Sequence, residues 1–181
     1  VLLTGAPPVV VLADDTGLGT MNNDDSAVVT LSGGVSQNEG TSFVFTATLD
    51  NAVQGGFSQA YTTNNGTATT ADSDYTDNDG LLAFAGTTGE SHIITVNSTT
   101  DNKVELDETF TVALGSITGP AGITTAGSPQ TGTITNDDAS VITISSPSGA
   151  ENLMGLLFAV NLTNPVDVNI TFDRSTVDGT A

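Results

Sequence analysis

Carboxylates are the side chains of this protein whose number and spacing could do chemistry. The sequence has 21 acidic residues against two basic ones, which gives a formal net charge of −19. Over residues 26–138, eleven of the thirteen acidic residues fall in four short stretches, at 39, 72–79, 101–108 and 137–138. Such a negative field attracts divalent cations and repels nucleic acid and anionic membrane surfaces. We therefore consider metal binding first, and expect neither nucleic acid as a partner nor direct insertion into a membrane.

Strands must position these carboxylates, because apolar and polar residues alternate along several segments. The apolar residues Phe43, Phe45 and Leu49 occupy odd-numbered positions. The even-numbered positions between and beside them include the polar residues Ser42, Thr46 and Thr48. Successive side chains of a strand point to opposite faces, so a period of two predicts half-buried strands. Short strands between Gly, Asn, Asp and Ser clusters indicate an all-β fold, a seven-stranded antiparallel Greek-key sandwich of immunoglobulin-like type. The predicted strands span 27–32, 42–49, 57–62, 80–85, 91–97, 108–115 and 129–136.

The order of these strands brings the four acidic stretches to one end of the sandwich, here called the acidic pole. If successive strands alternate in direction, the connections after the first, third and fifth strands share this end with the exit of the seventh. Of the thirteen central acidic residues, only Asp50 and Glu90 lie at the opposite pole. The residues expected at the acidic pole are Glu39, Asp72, Asp74, Asp77, Asp79, Asp101, Glu105, Asp107, Glu108, Asp137 and Asp138.

Two interpretations of the acidic pole remain open. One is a solvated rim that keeps the protein soluble, which suits any single carboxylate. The other is a calcium site, which we favour for the whole cluster because so many like charges repel unless a cation neutralises them. Calcium takes about six to eight oxygen ligands at about 2.3–2.6 Å and tolerates irregular geometry, whereas magnesium needs a stricter octahedron.

The sequence also repeats itself at a fixed offset. Residues 20–25 recur as 133–138, and 133 − 20 gives a period of 113. The same offset carries Phe45, Leu49, Asn51, Val53 and Gly66-Thr67-Ala68 onto Phe158, Leu162, Asn164, Val166 and Gly179-Thr180-Ala181. A register held over such a length predicts a tandem array of modules.

The period divides the chain into three parts. We expect residues 1–25 to be the last two strands of one module, residues 26–138 to be a complete module, and residues 139–181 to be the first three strands of another. The third part would include a strand over 166–172, where apolar and polar residues alternate. We expect these residues to be a window on a longer chain; the alternative is that separate chains complete each other's sandwiches by donating strands.

No set of residues suggests catalysis, so an enzyme is not expected. His92 is the only histidine and has the parity of a packed strand residue, which leaves no serine–histidine–acid set. Cysteine is absent, which excludes disulfides and thiol chemistry. The glycine-rich stretch 115–127 has no lysine and no following helix, so we interpret it as a long loop rather than a phosphate-binding loop.

The central part contains a series of short motifs in a fixed order and spacing. The motifs are Asn38-Glu39-Gly40, Asn65-Gly66-Thr67-Ala68, Asp74-Tyr75, Leu82-Ala83-Phe84, Gly89-Glu90, Ile94-Thr95-Val96, Glu105-Leu106-Asp107-Glu108-Thr109-Phe110 and Ile134-Thr135-Asn136-Asp137-Asp138. In the order and spacing of these motifs, the central part resembles a Calx-beta domain. Domains of this family are calcium-binding sandwich modules of sodium–calcium exchangers and of many bacterial surface and adhesion proteins.

The resemblance implies Ca²⁺ at the acidic pole and a set of ligands for it. Carried over by position, these are Glu39, Asp74, Asp101, Glu105, Glu108, Asp137 and Asp138. The family's fullest pattern has more aspartates after the fifth strand and at the end of the seventh, where this chain has Thr99-Thr100-Asp101-Asn102 and Asn136-Asp137-Asp138. Fewer carboxylates imply fewer ions or weaker binding, which favours a structural module over a calcium sensor.

We therefore expect a structural, calcium-binding repeat of an extracellular or cell-surface adhesin, stalk or filament of bacterial type. Calcium would stiffen the joints between modules, and the main partners would be neighbouring modules of the same chain or filament. The alternative is a surface module that binds a carbohydrate or protein ligand, which predicts an aromatic platform, although aromatic residues are only 5% of the chain. A third interpretation, a cytosolic calcium sensor attached to a transporter, is disfavoured because the sequence has no apolar run long enough to span a membrane.

Overall fold

The computed structural model describes residues 1–5, 7–8, 10–11, 13–152 and 154–179. Every regular element in these ranges is a β-strand, and the ranges hold no helix of the length and apolarity that a membrane crossing requires. The strands are β1 (Ala27–Ser32), β2 (Ser36–Asn38), β3 (Ser42–Leu49), β4 (Phe57–Asn65), β5 (Gly80–Phe84), β6 (Ser91–Asn97), β7 (Glu108–Thr118), β8 (Ile123–Ala126), β9 (Gln130–Thr135), β10 (Ile142–Ile144) and β11 (Val160–Leu162).

Strands β1 to β9 form a sandwich of two sheets. One sheet has the order β6-β3-β1-β8 and the other the order β2-β9-β7-β4-β5. Five of the seven pairings are antiparallel, and the buried residues of both sheets form one apolar cluster. The predicted all-β sandwich is thus confirmed, and β1, β3 and β6 have the predicted bounds.

Aromatic rings from the two sheets meet in the core. Phe43 and Phe45 on β3 and Phe110 on β7 are fully buried, and their burial contributes about 1.5–3 kcal/mol each. The ring centroid of Phe110 lies 5.1 Å from that of Phe43, edge to face, and 4.8 Å from that of Tyr75, on which it stacks. Because Tyr75 directly follows Asp74, this packing anchors the β4–β5 connection at the acidic pole.

Two short strands add parallel pairs to the expected antiparallel arrangement. β2 pairs with β9, and β8 pairs with β1, both in parallel. The prediction of a long loop over 115–127 was wrong, because β7 continues to Thr118 and β8 occupies Ile123–Ala126. The edge of β1 explains the difference: its backbone N–H and C=O groups need partners, and β8 supplies them.

Gly33 lets the chain pass from one sheet to the other between β1 and β2. Its φ is +118°, and a Cβ at this position would lie 2.5 Å from the carbonyl oxygen of Val44. A side chain is therefore excluded on both conformational and steric grounds. The crossing places β2 beside β9, which brings Glu39 next to the residues that follow β9.

The flanking segments contain little regular structure in the described residues. Before β1, the residues that the structure describes form a single isolated bridge, between Leu2 and Thr16, rather than the two expected strands. After β9, β10 pairs antiparallel with β11, but the expected strand over 166–172 is not formed, and Val166 makes only an isolated bridge with Val104. The strand expected there would correspond to β4, whose partners β5 and β7 have no counterparts in 139–179. Thr180 and Ala181 lie outside the described residues, so the structure does not test the repeat of Gly66-Thr67-Ala68.

Candidate metal centre

The acidic pole is built from the ends of several strands and the connections between them. Glu39 follows β2, Asp74 lies between β4 and β5, Asp101 and Glu105 lie between β6 and β7, Glu108 begins β7, and Asp137 and Asp138 follow β9. All seven residues carried over by the sequence resemblance therefore meet at one end of the sandwich. Six of them form two groups of three.

The first group consists of Asp74, Glu105 and Glu108. One carboxylate oxygen of each residue lies within 4.8 Å of the other two, and all three residues are half-buried. The backbone N–H of Thr69 donates to Asp74 Oδ2 at 2.6 Å, which fixes that carboxylate. Glu105 is held through its backbone, where its N–H donates to Asn136 Oδ1 at 3.0 Å. The Asp74 carboxylate and the backbone of Glu105 are thus fixed by contacts with separate parts of the fold.

The second group consists of Glu39, Asp137 and Asp138, again with one oxygen of each within 4.8 Å of the others. Asn38 Nδ2 donates to Asp137 Oδ2 at 3.1 Å. Asp138 Oδ2 is buried and makes no hydrogen bond with any described residue. A buried carboxylate oxygen without a donor is costly, and a bound cation is one way to satisfy it. The donor set at this pole therefore fits calcium, which prefers carboxylate oxygens.

Asp101 lies between the two groups and belongs to neither. It lines a cavity of about 20 Å³ together with Glu39, Asp74, Glu105 and Glu108. Its backbone N–H donates to Glu39 Oε2 at 3.1 Å, while its own Oδ1 accepts from the N–H of Lys103 at 2.7 Å. A volume of this size holds about one water or ion. Asp101 is therefore joined to the second group through its backbone, and one of its carboxylate oxygens already accepts a hydrogen bond.

The charges at this pole oppose each other's ionisation. Burial raises the pKa of Glu108 from 4.5 to about 7, and a hydrogen bond with Asp74 and the charges of Asp74 and Glu105 act in the same direction. Burial also raises the pKa of Glu39, supported by the charges of Asp138 and Asp101 and partly offset by hydrogen bonds from backbone N–H groups. Both shifts have the sign expected where carboxylates are partly buried and lie close to one another.

Asn136 and Lys103 contribute to this pole in ways that the sequence reasoning did not predict. Asn136 Oδ1 holds Glu105, and its Nδ2 donates to the carbonyl oxygen of Asp138 at 2.9 Å, so one side chain joins the two groups. Lys103 Nζ lies 2.5 Å from Glu105 Oε1 and 3.1 Å from Asp167 Oδ1. Asn136 stands where the family pattern has an aspartate, and Lys103 is one of only two basic residues, so both could have been noticed in the sequence.

Other acidic residues expected at this pole have local roles in the fold. The hydroxyl of Thr63 donates to Asp77, and its backbone N–H donates to Asp79 Oδ1 at 2.8 Å. Asp107 Oδ1 accepts from the N–H of Asn136 at 3.3 Å. These contacts fix loops around the two groups rather than adding oxygens to them.

Comparison with known proteins agrees with this fold. The sequence model of the Calx-beta domain family matches residues 22–140. The crystal structure of the apo-form Calx CBD1 domain is 23% identical with a TM-score of 0.56, and the match covers 63% of this chain and 100% of that one. The crystal structure of CBD12 from CALX1.2 is also 23% identical, with a TM-score of 0.53, and here the match covers 63% of this chain and 49% of that one.

Identities at this level show similarity of fold, and the match to the family model is the stronger result. None of the curated proteins compared with the chain matches it. The matched residues begin shortly before β1 and end shortly after Asp138, so they contain the whole sandwich and both carboxylate groups. They make up well over half of the sequence, and the chain therefore belongs to the Calx-beta domain family.

Proposed function

We propose that this protein is a structural calcium-binding repeat of an extracellular or cell-surface adhesin, stalk or filament, in which calcium fixes the angle between consecutive modules. The observation that carries the proposal is the meeting of two carboxylate groups, one with the unpartnered buried oxygen of Asp138, at the point where the chain leaves the sandwich. An ion bound there would contact both the body of the module and the start of the next segment.

The two carboxylate groups at the acidic pole would each bind one calcium ion. Asp74, Glu105 and Glu108 would hold one ion, and Glu39, Asp137 and Asp138 would hold a second. Calcium would add positive charge to that of Lys103 at this pole. It is suited to such sites because it accepts about six to eight oxygens in irregular geometry. Asn136 would keep the two sites in register, since it contacts the backbone of Glu105 and of Asp138.

The pairing of β10 with β11 supports the proposal that a further module begins after Asp138. Ile142 pairs with Leu162 as Val29 pairs with Leu49, and the two pairs are separated by the sequence period of 113. Residues 139–164 thus reproduce the β1–β3 pairing of the central module in the same register.

Hydrogen bonds around these strands repeat with the same period. The N–H of Val28 donates to Asp50 Oδ1, and the N–H of Val141 donates to Thr163 Oγ1. The amide of Asn51 donates to the carbonyl of Ser26, and the amide of Asn164 donates to the carbonyl of Ala139. Side chains that repeat together with their contacts favour a repeated module over a chance similarity of sequence.

The joint between the sandwich and this second segment is short and specific. Three residues separate Asp138 from β10. The N–H of Val104 donates to the carbonyl of Pro165 at 2.9 Å, and the N–H of Asp167 donates to the carbonyl of Val104 at 3.0 Å. Lys103 forms an ion pair with Asp167 across the joint and another with Glu105 in its own connection. The β6–β7 connection therefore contributes both to the first carboxylate group and to the contact with the next segment.

An extracellular location and an array of like modules are consistent with the chemistry of the chain. Calcium sites in extracellular modules have dissociation constants of about 10⁻⁴–10⁻³ M, which suits a site with few carboxylates. We propose neighbouring modules of the same chain or filament as the main partners, with a cell-surface or glycan ligand as a further possibility for the assembled protein.

Thermal unfolding with and without calcium tests the proposal. With free calcium at about ten times the dissociation constant, each site should stabilise the protein by about 1.4 kcal/mol, so the melting temperature should rise relative to chelator. Asp138→Asn should reduce this rise, whereas Asp173→Asn, which removes an exposed carboxylate outside the pole, should leave it unchanged. An equal melting temperature in calcium and in chelator at low ionic strength would contradict the proposal.

A further inference from the structure

A cleft of about 650 Å³ lies at the opposite pole of the sandwich, away from the carboxylate groups. It is lined by residues before β1, by the β3–β4 connection and by the β7–β8 connection, including Asn23, Asp25, Ala52–Gln54 and Pro120–Ile123. The proposed metal sites make no use of this cleft. Several of its lining residues have counterparts 113 residues later in the chain, and those counterparts contact the β6–β7 connection.

The counterparts lie 113 residues later and form hydrogen bonds with the β6–β7 connection. Adding 113 to Ala52, Val53 and Gln54 gives Pro165, Val166 and Asp167. The carbonyl of Pro165 accepts from the N–H of Val104, and the N–H of Asp167 donates to the carbonyl of the same residue. Val166 and Val104 thereby form a parallel bridge.

A third counterpart completes the match. Adding 113 to Asn23 gives Asn136, whose Oδ1 accepts from the N–H of Glu105. Asn23 and Asn136 make the same local hydrogen bond. Asn23 Nδ2 donates to the carbonyl of Asp25, and Asn136 Nδ2 donates to the carbonyl of Asp138. The side-chain oxygen of Asn23 is therefore placed for the same task.

The groups in the cleft that correspond to these three contacts are free within the described part of the chain. Among these residues, no hydrogen bond involves the carbonyl of Ala52, the N–H of Gln54 or Oδ1 of Asn23. Ala52, Gln54 and Asn23 are all exposed. The cleft thus offers two acceptors and one donor in the arrangement that binds Val104 and Glu105 at the observed joint.

We propose that this cleft is the docking site for the β6–β7 connection of another copy of the module, bound by the same backbone pairing as at the observed joint. The docked Val104 would donate to Ala52 and accept from Gln54, and the docked Glu105 would donate to Asn23. The docked Lys103 would lie beside Gln54, which is the counterpart of Asp167. Asp25 also lines the cleft and would place a carboxylate near this ammonium group. The proposal rests on the proposed function, since it extends the observed joint to a second one of the same kind.

Amide NMR of the full chain with a synthetic peptide of residues 101–107 tests this inference. The peptide should cause a saturable shift of the Gln54 N–H signal, because that group gains an acceptor. The same peptide with Val104→Pro lacks the N–H that pairs with Ala52 and should cause no such shift. No saturable shift at Gln54, or an equal shift with the Val104→Pro peptide, would overturn the inference.

A variant of the chain locates the third contact. Asn23→Ala removes the acceptor for Glu105 and should weaken peptide binding about fivefold, as expected for the loss of one ordinary hydrogen bond. Asn22→Ala, its exposed neighbour, should leave binding unchanged. Equal affinity for the Asn23→Ala chain would contradict the assigned contact. These signals are read at the pole away from the carboxylates, so they are independent of whether calcium raises the melting temperature.

Discussion

Glu108 is held in an environment that opposes its charge. Burial, the hydrogen bond with Asp74 and the charge of Glu105 raise its pKa from 4.5 to about 7. A carboxyl whose pKa is raised in the folded state binds protons that the unfolded chain has released. The free energy of unfolding without metal should therefore fall as the pH rises from about 4.5 to about 7, and should change little above that range.

Glu108→Gln should remove this pH dependence. In chelator at pH 7.5 the variant should be more stable than the original protein by about 1 kcal/mol, after allowance for solvent screening, and at pH 4 the two should be equal. In calcium the order should reverse, because the variant has lost a charged ligand. Urea unfolding at the two pH values measures the difference. Equal stability in chelator at pH 7.5 would show that the site does not penalise the charge of Glu108.

The neighbouring carboxylates could be predicted from the sequence, whereas their grouping could not. Because successive strands alternate in direction, the strand order determines which connections lie at the same end of the sandwich. The proximity of Glu39, Asp74 and Asp137 follows from that order. The engagement of Asp101 with Lys103 depends on the local conformation of the β6–β7 connection. The alternation of apolar and polar residues carries no information about the conformation of a loop. Only the structure shows that Asp101 belongs to neither group of three carboxylates.

The turn between β5 and β6 is fastened by Glu90 at the opposite pole. Its carboxylate accepts hydrogen bonds from the backbone N–H groups of Ala85 at 2.8 Å, Gly86 at 2.9 Å and Thr87 at 3.2 Å. These bonds and the contact with His92 lower the pKa of Glu90 to about 2 despite partial burial. The turn is thus stabilised by an ionised side chain.

Glu90→Gln should destabilise the fold by about 1–2 kcal/mol at neutral pH, because a neutral amide oxygen is a weaker acceptor. A lowered pKa stabilises the folded state above the unfolded value of 4.5, and this contribution is lost as the pH falls through about 2. The difference between the two proteins should therefore shrink between pH 4.5 and pH 2. Thermal unfolding across this range measures it, with Glu151→Gln as an exposed control.

The segment after β9 should hold the joint in place only when its carboxylates are intact. Asp137→Asn combined with Asp138→Asn should broaden the distance distribution between the sandwich and the β10–β11 segment in calcium, while the sandwich stays folded. Because the chain has no cysteine, spin labels can be attached through cysteines introduced at the exposed residues Thr124 and Asn169. Asp173→Asn is the matched control for charge. An unchanged narrow distribution would mean that the ion does not hold the joint.

Over the whole molecule, the sandwich was more predictable than its edges. Alternation located the seven main strands, since each buries one face and leaves a periodic trace. The short strands β2 and β8 leave no such trace: β8 is mostly exposed, and its sequence lies in a stretch rich in glycine. The expected strand over 166–172 has the right alternation without the neighbouring strands that would pair with it. Periodicity predicts which residues can form a strand, whereas pairing decides whether they do.

The parallel pairing of β2 with β9 has a mechanical consequence. β9 is the last strand of the sandwich and β2 lies near its beginning, so tension applied along an array would pull these two strands in opposite directions along their length. Their hydrogen bonds would then be loaded together in shear, rather than opened one after another like a zipper. A module connected in this way resists stretching collectively, which suits the stalk or filament proposed above.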